Sequence, residues 1–139
     1  MNDTIIKRVA GSYLETALWS SSDWDNMDES NNPTPFDENY DYDDFTDEAR
    51  QRAYDDCEKF LDMLDEVQID DDRTLFDCAE DIQGFDRIGH DFWLTRNHHG
   101  AGFWDGDYGD YGDILTDIVK QHFNECHVWA DGTGKVYLD

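Results

Sequence analysis

The stretch Ile88-Gly-His-Asp-Phe-Trp-Leu-Thr-Arg-Asn-His-His-Gly-Ala-Gly-Phe-Trp-Asp105 is the one long run of the chain that combines dense aromatics with few acidic residues. Phe92 and Leu94 alternate with Trp93 and Thr95 in the two-residue period of a strand, and Asn97 to Gly102 supplies small, φ-permissive residues for a reversal. Phe103 and Trp104 then open a return strand. This reading predicts a central β-hairpin with Trp93 and Trp104 in different layers, each ring able to bury roughly 150 to 250 Å². Helices on either side would pack upon it.

Upstream, Ile5, Ile6, Val9, Ala10, Tyr13, Leu14, Ala17 and Leu18 recur at three-to-four spacing behind Asn2, Asp3 and Thr4, which predicts an amphipathic helix to about Ser20. Thr46 reads as the N-cap of a second helix, with Asp47 and Glu48 in its first turn and Ala49, Ala53, Cys57, Phe60, Leu61, Leu64 and Val67 as its inner stripe. On its outer face Glu48 with Arg52 and Asp55 with Lys59 are i,i+4 pairs, worth about 0.2 to 0.5 kcal/mol each. A shorter helix through Leu75, Cys78, Ala79 and Ile82 stops near Gly84. Downstream, Ile114, Leu115, Ile118, Val119 and Phe123 mark one more helix. Val128 to Ala130, a turn at Asp131 to Gly134, and Val136 to Leu138 then form a terminal hairpin. The expected architecture is a single α+β domain over residues 1–139, an antiparallel sheet of about four strands in two hairpins covered by about four helices.

The segment Gly89-His-Asp-Phe-Trp-Leu-Thr-Arg-Asn97 followed by His99-Gly-Ala-Gly-Phe-Trp-Asp105, together with Leu18-Trp-Ser-Ser21, resembles a family of small uncharacterised proteins encoded by tailed bacteriophages. The likeness extends through Phe36 to Asp44 and into the His127 to Leu138 hairpin. His98 stands where that family usually has glycine. The resemblance implies a phage product made in host bacterial cytoplasm and carries no activity with it.

Charge narrows the function further. The chain has 35 Asp and Glu against 10 Lys and Arg, a net charge of -25. A fold of this mass exposes on the order of 7,500 Å², or about one net negative charge per 300 Å². Duplex DNA, with a charge every 1.7 Å of axis on a cylinder of roughly 10 Å radius, carries about one per 100 Å². Such a field excludes nucleic acid and anionic membrane as direct ligands and calls for a basic partner. No run of 18 or more apolar residues and no basic-then-hydrophobic start are present, so neither a membrane span nor a signal peptide is expected. Three cysteines without C-x-x-C spacing fit reduced thiols better than a disulfide framework.

Residues 21–45 lose helical periodicity and carry acids interleaved with Trp24, Phe36, Tyr40, Tyr42 and Phe45, with no Lys or Arg from Asp23 to Glu48. Disordered acidic tracts are poor in aromatics, so this loop is expected to be pinned onto the domain. The candidate partner-binding residues are Asp37, Glu38, Asp41, Tyr42, Asp43, Asp44, Asp47 and Asp55, the run Asp70, Asp71 and Asp72, and the acidic loop Asp105, Asp107, Asp110 and Asp113. That last loop departs from an EF-hand at Gly109, Asp110 and Thr116, and the histidines with Cys126 match no zinc spacing, so no metal or cofactor is expected. There is no nucleophile elbow, Walker loop or dinucleotide fingerprint, and the expectation is a non-enzyme.

Three functions remain for comparison. The leading one is a phage-encoded DNA mimic that inhibits by occupying the DNA site of a basic host protein, such as a defence nuclease, a repair glycosylase or a nucleoid protein, with oligomeric state left open. The second is an acidic scaffold or accessory protein, or a salt-adapted domain. The third is a small hydrolase-like site at His90, His98 and Arg96. A mimic should gather its acids on one face among aromatics, a salt-adapted surface should spread them, and an enzyme should collect those three residues in one pocket.

Overall fold

A computed structural model describes residues 1–139. Five helices, α1 (Asp3–Ser20), α2 (Asp47–Glu66), α3 (Leu75–Gln83), α4 (Phe85–Arg96) and α5 (Gly112–His122), combine with strands β1 (Ser22–Met27), β2 (Pro33–Pro35), β3 (Val128–Ala130) and β4 (Val136–Leu138). The mixed α+β character and the β3-β4 pair agree with the sequence reading, whereas β1 and β2 lie in the segment read as a loop. The strands, however, form two separate two-stranded sheets, β1-β2 and β3-β4, instead of one continuous sheet.

The central stretch is where the expectation fails. Residues Phe85–Arg96 are helix α4, followed by a short 3₁₀ turn at Phe103–Asp105, so there is no hairpin between Ile88 and Asp105. Ile88, Gly89 and every residue from Asp91 to Arg96 are buried. A helix enclosed on nearly all sides has no polar face, so its sequence loses the 3.6-residue signature and a short apolar run can be misread as a strand. Asn97 to Gly102 does reverse the chain: the Asn97 side chain donates to the Trp93 carbonyl at 3.1 Å, and His98 takes a left-handed φ of 59°. What it joins is a helix to a turn. Phe103 enters the core, but Trp104 is 51% exposed and belongs to no layer.

α4 is nonetheless the element around which the core is built, and its interface with α1 is the most extensive in the molecule. Tyr13 of α1 lies 5.2 Å from Phe92 and 5.1 Å, edge-on, from Trp93. Phe92 stacks on Phe60 of α2 at 4.3 Å and meets Phe123 at 4.9 Å. Such aromatic pairs contribute about 0.5 to 1.5 kcal/mol beyond the area they bury. Gly89 makes the close approach of the two helices possible, because a Cβ there would run into the Val9 carbonyl and the Tyr13 backbone of α1. Gly89→Ala is expected to wedge the helices apart and cost about 1 to 3 kcal/mol, as overpacking generally does. Its urea midpoint, set beside that of Gly11→Ala where a Cβ meets open space, checks this.

The expected caps at Asn2 and Thr46 form, Asn2 accepting from Thr4 N at 2.7 Å and Thr46 from Ala49 N at 3.0 Å, and Thr74, which the sequence reading did not name, accepts from Asp77 N at 3.2 Å, so orphan amides are satisfied at three helix starts. Gly84, at φ 84°, ends α3 and starts α4. The β3-β4 register, Val128 opposite Leu138 and Ala130 opposite Val136, is the expected terminal hairpin. The pinned loop is more structured than expected: it forms the β1-β2 hairpin and two 3₁₀ turns, Phe36–Glu38 and Tyr42–Asp44, with Phe36 and Phe45 in the core.

Buried polar groups are tied together. Arg96 donates to Asp56 at 2.6 Å, the Asn124 carbonyl at 2.6 Å and the Tyr13 hydroxyl at 3.0 Å. Asp91, fully buried, receives Arg87 at 3.2 Å and the His90 imidazole at 2.8 Å. The Tyr108 hydroxyl is the exception, with no hydrogen-bond partner, and burial and the neighbouring Asp91 carboxylate push it above its ordinary range. All three cysteines are buried and free, and burial pushes the Cys57 and Cys126 thiols up. No helix is long and apolar enough to cross a membrane.

Candidate acidic interface

Where the acids lie depends on which residues their cations occupy. All six arginines sit within ion-pair distance of a carboxylate: Arg8 with Asp86, Arg50 with Asp47, Arg52 and Arg96 with Asp56, Arg73 with Asp70, and Arg87 with Asp91 and Asp107. The expected Glu48-Arg52 and Asp55-Lys59 pairs are replaced. Arg52 turns to Asp56 at 3.8 Å, Asp55 accepts from Gln51 at 2.9 Å, and the Lys59 ammonium sits 4.9 Å from the centre of the Phe123 ring. With a surface of 7497 Å² and a net charge of -25, the remaining carboxylates face solvent at about one net charge per 300 Å².

A row of acids runs along α2, with Asp62 paired to the N-terminal ammonium at 3.4 Å. Asp55, Glu58, Asp62 and Glu66 line one shallow cleft of about 420 Å³ with Lys59 and Met63. At 100° per residue they fall within about 80° of the helix circumference, and from first to last they rise about 16 Å. One strand of duplex DNA presents about five phosphates over that length. Sequence reasoning named only Asp55 of this row. The signal that would have found the others, acids at i, i+3, i+7 and i+11 opposite the apolar stripe, was present in the sequence.

The row continues toward the N-terminal end of α2. Gln51, bonded to Asp55, also lines a cleft of about 620 Å³ with Asp3, Lys7, Asp47, Arg50 and Tyr54. There the Tyr54 hydroxyl donates to Asp3 at 2.6 Å, which with Lys7 holds Asp3 below the usual carboxylate range and pushes Tyr54 up to about 12. Tyr42 forms the shared wall to a third cleft, of about 430 Å³, between α1 and the 36–44 segment. Its lining brings Asp37, Asp41 and Asp43 together with Glu15, Trp19 and Tyr40. Glu15 and Trp19 were not among the expected residues, because only the fold carries the outer side of α1 to this loop, whereas Tyr40 was already legible among the rings interleaved with its acids. The second and third clefts share Tyr42 and the Gln51–Asp55 bond links the first to the second, where the acids are paired, Asp3 with Lys7 and Asp47 with Arg50.

The other expected residues divide by role. Asp41 and Asp44 cap their own turn, Asp41 accepting from Asp43 N at 3.0 Å and Asp44 from Asp41 N at 2.9 Å, so part of their hydrogen-bonding capacity is spent locally. Glu38 is exposed in the adjacent turn. Asp70 accepts the backbone N–H groups of Asp72 and Arg73 and the Arg73 guanidinium, which hold it below the carboxylate range, while Asp71 and Asp72 stay exposed. Asp105 accepts from Asp107 N at 3.3 Å, Asp107 pairs with Arg87 at 3.0 Å, and Asp110 and Asp113 are exposed. Neither Asp70 to Asp72 nor Asp105 to Asp113 lines any of the three clefts. No group of three His, Cys, Asp or Glu residues is arranged to hold a metal ion.

The hydrolase-like set does not converge. His90 donates toward Asp91 and lies tilted against Trp19 at 5.6 Å, His98 faces Glu125 at 3.3 Å, and Arg96 is consumed by Asp56, Tyr13 and Asn124. The comparisons with known proteins add no homologue: no family model, no curated protein and no solved structure matches this chain.

Proposed function

We propose that the protein is a phage-encoded DNA mimic that acts in bacterial cytoplasm, inhibiting a basic DNA-binding host protein by occupying its nucleic-acid site. The observation that carries this reading is the series of clefts from Asp37 to Glu66, with acids among Trp19, Tyr40 and Tyr42 at one end, the α2 row of Asp55, Glu58, Asp62 and Glu66 at the other, and the arginines already paired within the chain. The mechanism is competitive occupation without chemistry. Opposite fields steer the encounter and raise the association rate at low salt, while rings among the acids supply the desolvated anchors that long-range charge lacks. Nothing in the mechanism requires a metal or cofactor.

The test is affinity capture from bacterial lysate at low and high salt, followed by challenge with duplex DNA. Captured proteins should be basic nucleic-acid binders, and excess DNA should release them with a steep dependence on salt. Retention of the partners through a DNA challenge would end the mimicry reading. One observation favours the second reading, an acidic accessory or salt-adapted surface: exposed carboxylates also lie far along the chain from these clefts, as at Asp25, Asp28, Glu29, Asp117 and Asp131. That reading expects no basic partner and a melting temperature that rises as salt screens self-repulsion.

A further inference from the structure

We propose that the cleft between α1 and the 36–44 segment is an anchor site for a single arginine side chain of the basic partner. This rests on the mimic reading, and it assigns a particular chemistry to one part of that surface. The cleft is built from rings as much as from acids. Trp19, 46% exposed, and Tyr42, 38% exposed, line it with Tyr40, and two of these rings have aromatic neighbours. The His90 ring lies 5.6 Å from Trp19, tilted at 30°, and Phe36 lies 5.9 Å from Tyr40 at 37°. Asp37, Asp41, Asp43 and Glu15 stand around these rings, and no Lys or Arg lines the space. Flat apolar walls with carboxylates at the rim suit a planar cation that stacks and donates in its own plane, which is the guanidinium rather than the strongly hydrated ammonium.

The adjoining cleft, on the other side of Tyr42, contains the same chemistry with its cations supplied by the chain. There the Arg50 guanidinium lies 5.9 Å from the centre of the Tyr42 ring and bonds Asp47 at 2.6 Å, and Lys7 pairs with Asp3 at 3.2 Å. Tyr42 is thus a wall between a cleft whose acids and ring already hold a guanidinium and one whose acids and rings are open. The volume of about 430 Å³ accommodates an arginine side chain entering from a partner. A duplex-reading protein offers such arginines, because guanidinium contacts to phosphates and guanine edges are its principal polar contacts.

The experiment uses the full chain and three capped hexapeptides identical except for one central residue, arginine, lysine or citrulline. The readout is the indole N–H signal of each tryptophan in two-dimensional NMR, with Trp24, Trp104 and Trp129 as exposed controls. The arginine peptide should shift the Trp19 signal saturably, the lysine peptide should bind several-fold more weakly and the neutral citrulline peptide should leave it in place. Measured by isothermal titration calorimetry, Trp19→Ala should lower affinity for the arginine peptide by about tenfold, the scale of a partly desolvated cation–π contact, while Trp24→Ala leaves it unchanged. Equal binding of arginine and lysine peptides that Trp19→Ala does not alter would overturn the proposal, since that is diffuse charge attraction. Movement of the Trp19 signal with protein concentration alone would give the cleft to a second copy of the chain and also overturn it. Mimicry and anchor fail separately: captured partners that DNA releases as readily from the Trp19→Ala chain, with unchanged affinity, remove the anchor and leave the mimic.

Discussion

Trp93→Ala is expected to destabilise the protein by about 3 to 5 kcal/mol, enough to unfold a domain near the lower end of the usual 5 to 15 kcal/mol range. Trp93 is 1% exposed, stands edge-on to Tyr13, and donates its indole N–H to Ser20 Oγ at 2.9 Å. Truncation therefore opens a cavity at the α1-α4 interface and leaves the end of α1 without that cross-link. Trp104→Ala, at a ring 51% exposed, should remain within about 1 kcal/mol of the parent. Urea unfolding of the two variants measures the contrast. Equal losses would show that both rings are core, as the hairpin reading of this stretch requires.

Reversing charge on the acidic surface should do the opposite, sparing the fold and disabling binding. Asp41 and Asp44 are poor choices because they cap the Tyr42–Asp44 turn, where losing a cap typically costs about 1 kcal/mol. Asp37, Asp43 and Asp55 are exposed and spread from the α1 cleft to the α2 row. Changing these three to Lys alters the net charge of -25 by six units, to -19. Surface substitutions of this kind usually stay within about ±0.5 kcal/mol each, and relief of self-repulsion favours the variant. Against a captured basic partner the same changes place like charges face to face, an expected loss of several kcal/mol, much of it in the association rate at low salt. Melting temperature and affinity measured on the one triple variant separate the effects. An unchanged melting temperature with unchanged affinity would move the binding surface away from these clefts, to Asp71 and Asp72 or to Asp110 and Asp113.

Legibility in the sequence followed the range over which each signal acts. Caps and turn residues act over three or four positions, and Asn2, Thr46 and Gly84 took the expected places. The amphipathic helices α1 and α2 were equally readable because one face of each meets water, which keeps the apolar period visible. α4 was not, because burial on nearly every side erases the contrast that periodicity needs. The Arg52 pairing failed for a related reason: i,i+4 spacing offered both Glu48 and Asp56, and the Arg96-Asp56 bond brought from another helix places carboxylate and guanidiniums together at Asp56.

The sequence alone determined the charge, the starts of α1 and α2, the terminal hairpin and the acidic, aromatic character of residues 21–45, all of which depend on composition or on near neighbours. Only the tertiary structure decided that the Ile88 to Asp105 stretch is a buried helix and a turn, and that Trp19 and Glu15 face Asp37 and Asp43 across one cleft. It also decided that the arginines are spent on internal pairs, and so which acids remain open to a partner. The physical reason is separation along the chain: Trp19 and Asp43, Arg8 and Asp86, and Arg96 and Asp56 lie tens of positions apart, local arginine pairs such as Arg50 with Asp47 being choices among near neighbours, and the packing of Gly89 against the α1 backbone, not any local propensity, sets where α1 lies against α4.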